Sequence, residues 1–326
     1  MAKVKENYSK SVENIITSNI PIVHLEETIS NIENSISKKK FDTIDYIYVI
    51  DDDQKLVGVF SIKELFLNSK DKKAKEIIKT NLVKAYSNST QEQVAILALK
   101  NNLKAIPIVD KDNKLLGIIS SDSILEILHL ENVEDFLRSV GIYGSVKETL
   151  EGTPFFLAKI RTPWLVIGLI GGLFAALVIE FFEKPLKSHF ILASFIPLMV
   201  YIADAVGAQT QTIFIRNIIF EEKVKIFSYL LKEIKTGLMI SLILSSLLFL
   251  ISVFLFKADF LIGLIAGVSL LLTVIMAMLI GTIIPWLLNK FKKDPAIGSG
   301  PFATIIRDIL TLIIYFVVIS LMFKLF

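Results

Sequence analysis

Five apolar runs fill the second half of the chain: Trp164–Phe182, Ile191–Ile215, Gly237–Phe256, Phe260–Asn289 and Phe302–Phe323. Each reaches the roughly 20 residues that cross a hydrocarbon core, so the pattern predicts five transmembrane helices. Glu183-Lys184-Pro185 closes the first run. Residues 1–160 read differently. Short apolar runs alternate there with polar turns, the period of strands and amphipathic helices in a water-facing α/β domain.

Two stretches of that first half look alike: "DTIDYIYVIDDDQKLVGVFSIKELF" (42–66) and "NNLKAIPIVDKDNKLLGIISSDSIL" (101–125). Val49-Ile50-Asp51 matches Ile108-Val109-Asp110, and Leu56-Val57-Gly58 matches Leu115-Leu116-Gly117, with the same offset in both pairs. The order predicted for each unit is helix, strand, turn, strand, helix. This repeat resembles a tandem pair of CBS domains, about 10–70 and 71–130. Such pairs usually hold a ligand, often an adenine nucleotide gripped by an aspartate after the last strand. Here Asp122 falls one position early in the second repeat, and Glu64 takes the place in the first.

Composition agrees with the split. The chain is 53% hydrophobic with mean hydropathy +0.62, too apolar for an ordinary soluble protein. Residues 1–160 nevertheless carry 21 of the 35 basic and 23 of the 32 acidic side chains. No cysteine is present, which excludes disulfides and thiolate metal sites. Three scattered histidines, His24, His129 and His189, argue against a soft transition-metal site. The stretch Met1–Ser30 lacks the apolar core of a secretory signal, so the N-terminal half is expected in the cytoplasm. The net charge of +3 points to no nucleic-acid partner.

Carboxylates crowd the first half: Asp51, Asp52 and Asp53, then Asp110 and Asp112, then Glu126, Glu131, Glu134 and Asp135. They read either as solvated turns and a polar helix face or as a sensor for a hard cation, since Mg²⁺ takes carboxylate oxygens and keeps its waters. Residues 131–160 read as a connecting amphipathic helix broken at Gly141 and Gly144.

Basic residues orient the spans. Arg216, Lys223, Lys225, Lys232 and Lys235 lie between the second and third runs, and Lys290, Lys292 and Lys293 between the fourth and fifth. The other loops hold only Lys184 and Lys187, or Lys257. Basic-rich loops go inside. The N-terminal half is then inside too, and the C-terminus outside.

Two of the runs contain charge at depth, where each ionised side chain costs roughly 2.5–3.5 kcal/mol even on insertion scales. Asp308, preceded by Arg307, lies near the midpoint between Asp294 and Lys324. Thr304, Asp308, Thr311 and Tyr315 share one helical face. Asp204, Gly207, Ala208 and Gln211 share a face on the second run. Both faces can line one polar path, with oxygens that suit a hard divalent ion. A buried ion pair of Arg307 with Asp204 or Asp308 is the other reading. Arg307 itself is expected to point away from the path or to neutralise a neighbouring carboxylate. Gly168, Gly171 and Gly172 fit close helix packing.

The stretch "DPAIGSGPFATIIRD" (294–308) resembles the Asp-Pro-Ala…Ser-Gly-Pro-Phe…Thr…Asp signature of the MgtE family of magnesium channels or transporters. "GAQTQTIFIRN" (207–217) is similar to that family's Gly-x-Gln…Arg stretch. The likeness covers nearly the whole chain except the helical N-terminal domain many members carry. It implies a homodimer in the bilayer whose second and fifth helices form the pore. Asp308 would hold hydrated Mg²⁺, with Thr304 and Thr311 as oxygens around it and Gly207 and Gln211 along the path. Asp294 would help bind regulatory Mg²⁺, together with Asp53, Asp110, Glu131, Glu134 and Asp135, and ion binding there would close the pore. One departure stands out: Ala203, Asp204 and Ala205 occupy the family's Gly-Gly-Asn positions. One residue turns a helix by about 100°, so Asp204 cannot stand in for the missing asparagine. It could hold a second ion or a proton.

The expected fold is an α/β tandem CBS domain (1–130), a connecting helix (131–160) and an all-α membrane domain of five spans (161–326). The expected function is divalent-cation transport, Mg²⁺ first, across a prokaryotic plasma membrane. Ion-coupled exchange and a non-transporting membrane-anchored sensor are the alternatives. Nothing in the chain forms a nucleophile–base pair or a Walker loop, so an enzyme is the weakest reading.

Overall fold

Helices in the first half begin where hydroxyl and carboxylate side chains satisfy the free amides of a first turn. The computed structural model describes residues 11–142, 144, 146–182, 189–220, 224–291, 293–296 and 300–325, and they divide into two units between Asn132 and Val133. Glu183, Lys184, Pro185, Lys187, Lys223, Lys292 and residues 297–299, all used above, lie outside the described residues.

In the first unit, Thr28 caps α1 (Ile29–Lys38) by accepting from Asn31 N, and Ser61 and Thr90 form capping boxes with Glu64 and Gln93 for α2 (Ile62–Leu67) and α3 (Gln91–Lys100). Two three-stranded sheets have the same topology: β1 (Ile22–His24) parallel to β2 (Tyr46–Ile50), which is antiparallel to β3 (Leu56–Ser61); then β4 (Ala85–Tyr86), β5 (Ile106–Val109) and β6 (Leu115–Ile119). The register slips at Val49/Ile50 in one sheet and at Ile108/Val109 in the other, matching positions of the repeat. Gln54 and Asn113 take positive φ in the matching turns. Those turns meet: Leu56 N donates to Asn113 O and Leu115 N to Gln54 O. Ile20, Tyr48, Leu56, Ala105, Val109 and Ile118 make a core shared by the two repeats.

Helix α4 (Ser121–Ser139) starts well before the expected connecting helix. A short α5 (Val146–Glu151) follows it. The five long helices are α6 (Pro154–Phe181), α7 (Phe190–Phe220), α8 (Ile226–Leu250), α9 (Phe260–Lys290) and α10 (Pro301–Leu325), each apolar and long enough to cross a membrane. Two of them, α6 and α8, start ten residues or more before their apolar runs. Thr153 caps α6, with Pro154 in its first turn, which takes residues 154–160 out of the connecting segment. α8 begins at Ile226 and carries Lys232, Glu233 and Lys235 on helix, because polar side chains do not stop a helix that extends past the hydrocarbon. Its last turn widens into a π-helical turn, Ile251–Leu255.

α9 is the most enclosed span and packs against α7, α8 and α10. Its core includes Leu192, Phe195 and Met199 of α7 with Tyr315, Phe316 and Ile319 of α10. Tyr315 Oη donates to Leu192 O at 2.8 Å, a buried crosslink from α10 to α7. α6 packs mainly on α10 and is largely exposed. Of its three glycines only Gly171 meets a neighbour, Ile305.

Candidate functional site

Arg307 is 2% exposed and has its charge met on three sides. Nε donates to Asp204 Oδ1 at 3.2 Å, Nη1 to Gln211 Oε1 at 3.0 Å and Nη2 to Thr304 Oγ1 at 3.1 Å. Asp204 and Gln211 stand two turns apart on α7, so both face α10. Thr304 is one turn before Arg307 on α10 itself. Room for the arginine comes from a missing side chain: a Cβ at Gly207 would lie 2.5 Å from Arg307 Cδ. A Cβ at Gly281 would lie 2.7 Å from Gly207 O, so α9 closes on the other side of the same turn. Small residues let helix backbones meet in this way.

Arg307 points into the bundle and pairs with Asp204, not Asp308. Thr304, Gly207 and Gln211, read above as lining a path, surround its guanidinium. Asp308, one residue on, has its Oδ1 buried without a hydrogen-bond partner, and so has Thr311 Oγ1, one turn further along α10. A buried acceptor left unpaired costs about 1–3 kcal/mol, more when charged. Such a group calls for a specific explanation.

At the start of α10 a second arginine holds a second group of carboxylates. Arg138, near the end of α4, reaches Asp294 Oδ2 at 2.9 Å, Glu134 Oε2 at 3.1 Å and Asp135 Oδ1 at 3.8 Å. The other Asp294 oxygen accepts from Ala296 N at 2.8 Å. α4 ends at Gly141 in a left-handed turn, φ +76°, where Gly141 N donates to Arg138 O. A Cβ at Gly141 would lie 3.2 Å from Pro301 Cδ, and one at Gly300 3.4 Å from Arg138 O and Ser139 O. The end of α4 therefore packs on the first turn of the helix that carries Asp308. Asp294, Glu134 and Asp135 come together here, but around a guanidinium. Sequence reasoning passed over Arg138, though its spacing of four and three from Glu134 and Asp135 is that of helical ion pairs.

The remaining candidates lie in the first unit. Asp51 Oδ1 accepts from Asp53 N and Lys55 N, and Asp110 Oδ1 from Asp112 N and Lys114 N, the same turn in each repeat. Asp53 pairs with Lys55 at 3.2 Å on an exposed surface. Glu64 accepts from Ser61 N at 2.7 Å as the cap of α2, while Asp122 is exposed on the first turn of α4. Glu131 lies further along α4. Among the described residues no three acidic or histidine side chains are grouped as metal ligands.

Comparison with known proteins bears on both halves. Residues 196–318 match the family model MgtE, divalent cation transporter, and residues 12–70 and 74–130 match the CBS domain. The magnesium transporter MgtE of Bacillus subtilis is 34% identical over 277 residues, 84% of this chain and 61% of that protein. That of Thermus thermophilus is 31% identical over 290 residues, 87% and 63% of the two chains. This chain thus spans about three fifths of the length of these relatives. The crystal structure of the soluble part of a magnesium transporter overlaps 37% of this chain and 48% of its own, at 27% identity and TM-score 0.35.

Proposed function

Residues 196–318, behind a CBS pair, make this chain a member of the MgtE family, and from that premise we propose that it carries a divalent cation, Mg²⁺ first, across a bilayer along α7 and α10. The observation that carries the reading is the buried, unpartnered Oδ1 of Asp308 within α10. A carboxylate there attracts a divalent ion, and a hydrated one binds through its waters without full dehydration. Thr311 supplies a neighbouring hydroxyl on the same face. A second copy of the chain completes the path, as the family resemblance implies. The basic residues Lys225, Lys290 and Lys293 favour an orientation with the N-terminus inside.

Gating belongs to the same proposal. The end of α4 rests on the first turn of α10, and Arg138, paired within α4 to Glu134 and Asp135, reaches across to Asp294 in the segment before α10. Ions that bind these carboxylates shift the equilibrium of that contact. Asp53, Asp110 and Glu131 of the CBS half, and an adenine nucleotide there, are further proposed regulators to be tested by substitution and binding.

Two observations weigh between this reading and its rivals. Asp204 is engaged by Arg307, which removes the second carboxylate that coupled exchange would use. Asp308 stands outside that pair, which a sensor with only a closed ion-pair network would not need. The test is Mg²⁺ uptake into proteoliposomes by the parent chain and by Asp308→Asn, with and without proton or sodium gradients. Passive uptake lost in the variant supports the proposal. Uptake that needs a counter-gradient favours exchange, and absence of any divalent flux leaves the sensor.

A further inference from the structure

On the reading that a cation passes along α7 and α10, we propose that Arg307 sets the charge of that path: by neutralising Asp204 it leaves each chain one net negative charge there, at Asp308, in place of two. The seat of the arginine supports this. Its three bonds are made to two different helices, and Gly207 lets its side chain lie flat on the backbone of α7. The guanidinium therefore cannot swing away without giving up all its partners in a low-dielectric place, where that is costly.

Asp204 is not sealed in the same way. Its side chain is 34% exposed against 2% for Arg307, and both guanidinium contacts go to Oδ1. Without Arg307, Asp204 would be a second accessible carboxylate on the path. Conduction needs a site that attracts an ion and also lets it go. Two unneutralised carboxylates per chain would hold a divalent ion more tightly and release it more slowly. Arg307, a residue that looks hostile to a cation path, thus keeps its affinity low. Its role is positional and electrostatic: it acts through Asp204 and does not meet the ion.

The experiment measures initial Mg²⁺ uptake against external Mg²⁺ in proteoliposomes holding the full chain, as parent, R307Q, D204N and D204N/R307Q. The expected result is opposite shifts in the two single variants. R307Q lowers the half-saturating concentration about threefold or more and slows the maximal rate, whereas D204N, which leaves the arginine unneutralised, raises it by a similar factor. The double variant carries the same net charge as the parent and returns to within about twofold of it. A brace with no electrostatic role would leave half-saturation unchanged in every variant that folds, and that result overturns the proposal. If one single variant does not fold, the direction of the other still decides. A parent chain that moves no divalent ion shows instead that the transport reading has failed, and this inference falls with it.

Discussion

Arg138 Nη1 lies 2.9 Å from Asp294 Oδ2, joining residues 156 apart in the chain. The two side chains are about four-fifths buried, so the pair is screened less by salt than one on the surface. On the proposed gating, the arginine occupies by covalent attachment the place that a bound divalent ion would take by mass action.

A prediction follows for the contact between α4 and α10. The chain has no cysteine, and a Cβ at Gly300 would lie 3.4 Å from Ser139 O. Ser139→Cys with Gly300→Cys should therefore cross-link in membranes. In chelator the parent pair should form readily, and Arg138→Gln should slow it about fivefold, the equivalent of about 1 kcal/mol. Added Mg²⁺ should recover the rate in that variant if the ion can replace the guanidinium. Equal rates with and without Arg138 would show that the pair holds nothing.

Asp308→Asn should reduce Mg²⁺ flux by about tenfold or more, since a neutral amide no longer attracts the ion. It should not lower thermal stability. The carboxylate it replaces is partly buried with one oxygen unpartnered, and an amide is cheaper to leave there. A large fall in melting temperature would mean that Asp308 is structural.

Gly207→Ala should destabilise the membrane unit by about 1–3 kcal/mol, the usual cost of overpacking. The added methyl would sit 2.5 Å from Arg307 Cδ, with the α7 backbone behind it. Gly172→Ala is the contrast, because nothing lies within 4 Å of a Cβ there. Thermal unfolding of the two variants beside the parent checks the difference.

In the CBS half, hydrogen bonds from Lys73 and then Lys75, at 2.7 and 2.6 Å, hold the Glu26 carboxyl down to about 2 from an ordinary 4.5. A depressed value means that the stability Glu26 adds is present above about pH 4.5 and is lost as pH falls through about 2. Glu26→Gln should therefore lower stability by a small, constant amount above about pH 4.5, kept small because the pair is exposed, flatten the acid limb over that window and converge with the parent as pH falls through about 2. A parent and variant with the same acid limb would refute this.

Much of this architecture was legible along the chain, because hydrophobic length and repeat spacing are local properties. Five apolar runs of spanning length needed no tertiary information to read as helices. The internal repeat survived to the level of matching register slips and turns, since identical turns need identical local chemistry. Polar extensions of spans were harder to see. Thr153-Pro154 and the start of α8 at Ile226 lie before the apolar runs, where apolar patterning stops reporting.

By itself the sequence placed Asp204, Arg307 and Asp308 inside apolar runs of spanning length, and the family resemblance grouped Asp294 with Asp53, Asp110, Glu131, Glu134 and Asp135 as candidate regulatory ligands. Which carboxylates Arg307 and Arg138 would meet beyond their own helices was decided by tertiary structure alone. Arg307 could have reached Asp308 beside it or Asp204 on another helix. The outcome depended on Gly207 and Gly281 letting three helices close around it. Arg138 meets Asp294 only because the end of α4 lies against the first turn of α10. The physical reason is that electrostatic pairing is set by distance and burial in three dimensions. Neighbours on a helix point about 100° apart, while residues far apart in the chain can end up in hydrogen-bond contact.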